Sequence, residues 1–276
     1  MAPLVTAIRE PQRGGSQAFV SDLARGLTGR GHDVHVYAAS GSDIPGVEVI
    51  DTGVDPESLA GTLYRAFGQS GPAGSRPAGP EPSAAESAFA RAYRGVQEIR
   101  YDVIHNHAFD APAIRLAAAL QAPVVHTLHL PPDKAVAAAL RHAARGGRPP
   151  AVAAVSVFQA SAWRRIIRVD AILPPYVPTH VIPWSREPGE GAIFAGRLSP
   201  EKGAAEAIDI ARAAEVPIDV YGDAYDAGYS RDQIGPRRAW PGVTVHDAVP
   251  RASLWAAMAH AAVVLFPARW AEPFGM

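Results

Sequence analysis

Gly196-Arg197-Leu198-Ser199-Pro200-Glu201-Lys202-Gly203 stands directly after the apolar run Ala192-Ile193-Phe194-Ala195 and directly before residues 204–214, where Ala207, Ile208, Ala211 and Ala214 recur at helical spacing. A short apolar run reads as a buried strand, and a 3.6-residue recurrence reads as an amphipathic helix. The octapeptide therefore occupies a strand-to-helix junction. Such a junction offers the unpaired amides and partial positive charge of a helix N-terminus. Arg197 and Lys202 add two formal charges, one as a planar bidentate fork and one as a point charge. Phosphate or diphosphate is the ligand that this combination fits. The competing reading is a solvated turn in which Glu201 and Lys202 face water.

Working outward, the same alternation runs through most of the chain. Residues 4–8, 33–38, 47–50, 103–105, 124–127 and 152–156 are short runs rich in β-branched residues, of the kind buried in a parallel sheet. Helical patterns at 17–30, 56–67, 84–100, 111–120, 133–145 and 158–168 separate most of them. This predicts an α/β domain with a doubly wound, Rossmann-like sheet over residues 1–172. Within it, residues 68–83 are Gly, Pro, Ser and Ala with almost no bulky apolar side chain, the composition of a flexible loop. Pro174, Pro175, Pro178, Pro183 and Pro188 forbid continuous helix over 173–188, which suits an interdomain linker. A second α/β series follows over 189–276, with strands expected at 192–195, 218–221, 243–245 and 262–266 and helices at 204–214 and 251–259. It stops just after a strand, where a doubly wound sheet normally continues through a helix, so this domain is expected to be incomplete. The expectation at this level is that both ends of a longer protein lie outside the chain.

Composition narrows the partners. At 276 residues the chain suits two domains; hydrophobic residues make up 48%, charged residues 19%, and the net charge is −1. That balance carries no footprint for nucleic acid. Cysteine is absent, which removes disulfides, thiolate nucleophiles and cysteine-ligated zinc. No apolar run approaches the ~18 residues of a membrane span, and the first residues lack a signal-peptide pattern, so a cytoplasmic protein is expected. The helical stretch 132–148 sets an alanine-rich face beside Lys134, Arg141, Arg145 and Arg148. It reads either as a peripheral membrane contact or as an ordinary surface helix.

Ligands of open α/β sheets collect beyond the carboxyl ends of the strands, and four features fall there. Gly14-Gly15-Ser16 precedes the first helix, where paired glycines let backbone amides approach a phosphate or simply form a turn. His105, His107, His126 and His129 follow two neighbouring strand patterns. Their spacing permits metal ligation, with Asp102 or Asp110 as a further ligand, and equally permits histidines hydrogen-bonded in a loop. The third feature is the phosphate motif. The fourth is Pro267-Ala268-Arg269-Trp270-Ala271-Glu272-Pro273-Phe274-Gly275, which brings a carboxylate able to accept hydrogen bonds from sugar hydroxyls, or a charge suited to a helix N-terminus.

Taken together, these pieces resemble the family 4 retaining glycosyltransferases of GT-B architecture, in which two Rossmann-like domains face a cleft. The likeness runs from the Gly14-Gly15 loop and Arg30-Gly31-His32-Asp33-Val34 through Tyr101-Asp102-Val103-Ile104-His105-Asn106-His107, Val125-His126-Thr127-Leu128-His129 and Ala154-Val155-Ser156. It continues to the segment from Gly196 to Gly203 and to Glu272-Pro273-Phe274-Gly275. The resemblance implies transfer of a sugar from a nucleoside diphosphate sugar to an acceptor hydroxyl with retention, and no further cofactor. Arg197 and Lys202 then match the donor-diphosphate cations, and Gly15 matches the glycine whose amide approaches the same phosphates. Glu272 matches the first of the family's paired glutamates and binds a donor-sugar hydroxyl, helped by the backbone of Phe274, Gly275 and Met276. His129 matches the histidine beside the reacting centre, and Gly14, His107 and Ser199 line the cleft around these groups. Two features depart from the pattern. The second glutamate would fall at position 280, and Val181-Ile182-Pro183-Trp184 lacks the asparagine-glycine turn common in the linker. Two alternatives remain at this level: a non-catalytic nucleotide-sugar-binding fragment, and a histidine-ligated metallohydrolase.

Overall fold

The computed structural model describes residues 1–56, 83–187 and 189–276. The expected helix at 56–67 and loop at 68–83 lie outside the described residues, except for Pro56 and Ser83.

Among the described residues every strand pairing is parallel, as the alternation of apolar runs and helices requires. In the first lobe, β1 (His35–Ala38) pairs with β2 (Glu48–Asp51), and β3 (Ile104–Asn106), β4 (Val124–Leu128), β5 (Ala151–Ala154) and β6 (Ala171–Ile172) form a second sheet in that order. The first expected strand, residues 4–8, is not one. Residues 4–6 bend, and Met1 and Ala2 take the position between β1 and β3 instead. The Met1 ammonium donates to the His105 carbonyl at 2.8 Å, the His107 amide donates to the Met1 carbonyl at 2.9 Å, and the Ala2 amide donates to the Tyr37 carbonyl at 2.9 Å. Pro3 has no amide hydrogen with which to continue that ladder. The apolar character of the segment serves packing rather than pairing: Leu4 and Ile8 are fully buried in two different clusters of the core.

Among the described residues the helices of the first lobe are α1 (Gly15–Thr28), α2 (Ala84–Glu98), α3 (Ala111–Ala117), α4 (Lys134–Ala143) and α5 (Val157–Arg164). Local chemistry sets several of their starts. The Ser83 hydroxyl accepts from the Glu86 amide, Asp133 accepts from the amides of Ala135 and Val136, and Ser156 accepts from the Gln159 amide. Of the two readings of α4, the surface helix fits its packing: Val136, Ala137 and Leu140 are buried in one cluster with Val152 of β5 and Trp163 of α5. Lys134, Arg141, Arg145 and Arg148 remain exposed. Among the described residues no helix is long and apolar enough to cross a membrane.

The segment between the lobes is irregular and leaves Tyr176, Val181 and Trp184 exposed. The second lobe carries β7 (Ala192–Ala195), α6 (Ala204–Ala213), β8 (Ile218–Tyr221), β9 (Val243–His246), α7 (Arg251–His260) and β10 (Val263–Val264), with strands in the order β10-β7-β8-β9. Phe194, Val220, Ala207 and Ile208 form its core. An irregular helical segment over 227–238, which the sequence pattern did not indicate, adds Ile234 to that core; Asp226 starts it by accepting from the Tyr229 amide.

Both lobes reverse their winding direction once. In the second lobe the reversal falls between β7 and β10, and in the first it falls between the Met1–Ala2 segment and β3. Loops that leave neighbouring strands on opposite faces part at such a point and open a crevice.

Ion pairs join the lobes. Arg251 at the start of α7 meets Glu10 at 2.8 Å and Asp22, on α1, at 2.7 Å. Arg13 lies 3.4 Å from Asp223.

Candidate active site

The loop over 196–203 leaves the second-lobe reversal point from β7, and the Glu272 loop leaves it from β10. Register pairs Val263 with Ala192 and Val264 with Ile193, so loops 70 residues apart in sequence start side by side. Gly203 makes their contact possible. It has a left-handed φ of 76°, and a β-carbon there would lie 2.2 Å from the Pro267 carbonyl oxygen. The Arg269 amide donates to the Glu201 carbonyl at 2.9 Å and locks the two loops together. Gly222, after β8, packs equally closely: a β-carbon there would lie 1.9 Å from the Gly196 carbonyl oxygen.

The motif is not a solvated turn. Lys202 and Glu272 form an ion pair in which the side chains are only 18% and 15% exposed. Trp270 adds its indole N–H to Glu272 Oε1 at 2.7 Å and its ring lies 5.5 Å from the Lys202 ammonium. Arg197 pairs with Glu201 at 3.3 Å while its guanidinium stacks over Tyr225 at 4.4 Å. Ser199 is buried, and its hydroxyl donates to Glu201 Oε1 at 2.7 Å. Each cation is therefore held by one carboxylate and one aromatic face.

On the first-lobe side, α1 begins at Gly14-Gly15 with no side-chain cap, so its first amides are open to a ligand. A β-carbon on Gly15 would sit 3.8 Å from Met276 Cβ, which brings the glycine loop against the end of the Glu272 segment. Phe274 and Gly275 are exposed beside it.

The histidines behave as a packed polar group. His107 Nδ1 and His129 Nε2 share a hydrogen bond at 3.0 Å, and both rings lie about 5 Å from Phe19 of α1. His105 bonds Thr127 at 2.6 Å, and His126 accepts from Asn106 at 2.8 Å. Burial lowers the pKa of His126 and of His129 to about 3, and that of His105 to about 4, with further lowering of His105 by the Met1 ammonium. His107 is pushed well below the ordinary imidazole value by burial first and by its histidine neighbours second. All four are neutral at pH 7. Among the described residues no three His, Cys, Asp or Glu side chains converge as a metal site would require. Asp110 is buried at the position before α3, where no side-chain cap bond forms, and Asp102 is exposed.

The structure thus brings Arg197, Ser199, Lys202 and Glu272 together and sets Gly15 against Met276, while His107 and His129 make their contacts within the first lobe. Tyr225, Arg13 and Arg251 escaped the sequence reading, while Glu201 and Trp270 stand inside the quoted motifs without the partner roles that the structure gives them. A cavity of about 600 Å³ between Leu140, Arg145, Pro150 and Ile167 lies at the amino end of β5, away from both reversal points.

Comparison with known proteins falls on the same architecture. The family model described as Glycosyltransferase Family 4 matches residues 13–183, more than half of the chain. No curated protein matches in sequence. Among solved structures, AviGT4, a glycosyltransferase involved in avilamycin A biosynthesis, is 19% identical with a TM-score of 0.65, covering 100% of this chain and 72% of that one. Sucrose-phosphate synthase from Thermosynechococcus elongatus is 16% identical with a TM-score of 0.67, covering 100% and 77%. The lipopolysaccharide outer core galactosyltransferase WaaB is 12% identical with a TM-score of 0.52, covering 95% and 72%. At these identities the likeness is one of fold, the GT-B arrangement of parallel α/β lobes.

Proposed function

The chain belongs to Glycosyltransferase Family 4, and from that premise we propose that it moves a sugar from a nucleoside diphosphate sugar to an acceptor hydroxyl with retention of configuration at the anomeric carbon. The observation that carries this reading is the pairing of β7 with β10, which sets Lys202 against Glu272 on the loop that also carries Arg197.

In this reaction the bond from the anomeric carbon to phosphate oxygen breaks and its electron pair leaves with the diphosphate. Arg197 and Lys202 stabilise that charge, each already kept near the site by an aromatic face, Tyr225 for Arg197 and Trp270 for Lys202. The open amide of Gly15, at the uncapped start of α1, adds a donor from the facing lobe. Glu272 accepts from a sugar hydroxyl, and the backbone of Phe274, Gly275 and Met276 lines the same sugar. The acceptor oxygen forms the new bond on the face the diphosphate leaves, so the departing phosphate oxygen is the nearest base for its proton. No nucleophile from the protein and no cofactor is needed. His129 and His107, neutral through burial, contribute hydrogen bonds at the reacting centre without adding charge that would compete with Arg197 and Lys202.

A thermal-shift panel of nucleoside diphosphates and their sugar conjugates tests this, since a ligand binding only the folded protein raises its melting temperature by mass action. A conjugate that stabilises more than the matching diphosphate is the expected result. Product formation with an acceptor then separates transfer from binding alone, and a panel without effect ends the proposal.

A further inference from the structure

Trp270 touches both charged groups of the second-lobe site. Its indole N–H donates to Glu272 Oε1 at 2.7 Å, Lys202 pairs with that same oxygen, and the Lys202 ammonium lies 5.5 Å from the ring centre. Glu272 Oε2 receives no donor among the described residues. The cation assigned above to the diphosphate is therefore paired here with the carboxylate assigned to the sugar. A diphosphate that draws Lys202 away takes a partner from a carboxylate only 15% exposed, and a carboxylate so enclosed needs another donor in place of the one it loses. The indole N–H is already bonded to it.

Resting on the donor reading of the preceding subsection, we propose that Trp270 is a positioning residue that anchors Glu272 through Oε1 while Lys202 passes from this carboxylate to the donor diphosphate, so that Oε2 meets a sugar hydroxyl. A bare nucleoside diphosphate separates Lys202 from Glu272 and returns nothing to the carboxylate. A nucleotide sugar returns a hydroxyl donor. The site consequently prefers the conjugate, and the preference depends on the indole N–H.

The test uses the full 276-residue chain with its five tryptophans labelled at the indole nitrogen. Loss of one resonance in Trp270→Phe identifies the Trp270 N–H, and Glu272→Gln is expected to move that resonance. Calorimetry with UDP, GDP, ADP and dTDP and with their glucose conjugates then compares wild type with Trp270→Phe, which keeps a ring. The expected result is a bare-diphosphate affinity changed by less than about twofold and a preference for the conjugate lowered about tenfold, the scale of one hydrogen bond to a charged group. Under turnover, kcat is expected to fall with Glu272 unanchored. A Trp270 resonance indifferent to Glu272→Gln, or a Trp270→Phe variant with the wild-type preference, overturns the proposal. Wild type binding none of the probes overturns the donor reading and the exchange with it, an outcome distinct from a preference lost only in the variant.

Discussion

The two reversal points share a topology and differ in chemistry. In the second lobe, four charged side chains, Arg197, Glu201, Lys202 and Glu272, crowd into a site where none is more than 23% exposed. In the first lobe, the histidines stay neutral and bond one another, Thr127 and Asn106. One sheet reversal thus carries paired charge, and the other carries neutral hydrogen-bonding groups and open helix amides. The difference comes from what each loop packs against. The second-lobe loops hold carboxylates and aromatic faces that compensate cations, whereas the first-lobe histidines sit beside Phe19 and the buried strand ends, where a proton is expensive.

The largest effect that breaks this contrast is on turnover. Arg197→Ala or Lys202→Ala should each lose roughly 2–4 kcal/mol of transition-state stabilisation, measured as kcat in steady-state transfer; undiminished kcat in both variants removes the charged half of the comparison. Next comes Gly203→Ala. With φ at 76° and the Pro267 carbonyl 2.2 Å from the new β-carbon, a loss of about 3 kcal/mol in denaturant unfolding is expected. Third is the seam between the lobes. Asp22 has a side chain 4% exposed and pairs with Arg251, so a double-mutant cycle on Asp22→Ala and Arg251→Ala should return a coupling of about 2 kcal/mol; zero coupling would detach the lobes energetically.

The last effect, the most gradual because it is spread over several pH units, is pH dependence, and it sharpens the neutral half. His105, His126 and His129 have folded pKa values of about 4, about 3 and about 3, below the ordinary value of 6.5. The unfolded chain therefore binds protons that the native state refuses, and stability falls as pH drops from 6.5 towards 4. Each imidazole kept neutral contributes up to about 1.4 kcal/mol per pH unit to that loss. Melting temperatures across this range test it, and His126→Asn should flatten the slope.

Much of this was legible residue by residue. The strands at 192–195 and 218–221 fall where the apolar runs predict them, and Ser83, Asp133 and Ser156 start helices as capping residues do. The errors have physical causes. Residues 4–8 carry a strand's hydrophobicity, yet Pro3 breaks the ladder and their side chains fill the core. β6 spans two residues, too few for any periodic signal. The helical segment over 227–238 contains Gly228, Gly235 and Pro236, which read as turn residues. Tyr225 and Arg251 gave no signal because their partners, Arg197 and Asp22, lie 28 and 229 residues away.

The sequence by itself determined the elements, the glycines at the tight junctions and the chemical types available: two cations, a carboxylate and a set of histidines. These are local properties, written in periodicity and in the conformational limits of single residues. Only the tertiary structure decided that β10 pairs with β7, and hence that Glu272 meets Lys202 and Trp270. It also decided that the histidines would be buried and neutral. Both outcomes depend on contacts between distant segments, whose cost in chain entropy is repaid only when the whole sheet assembles.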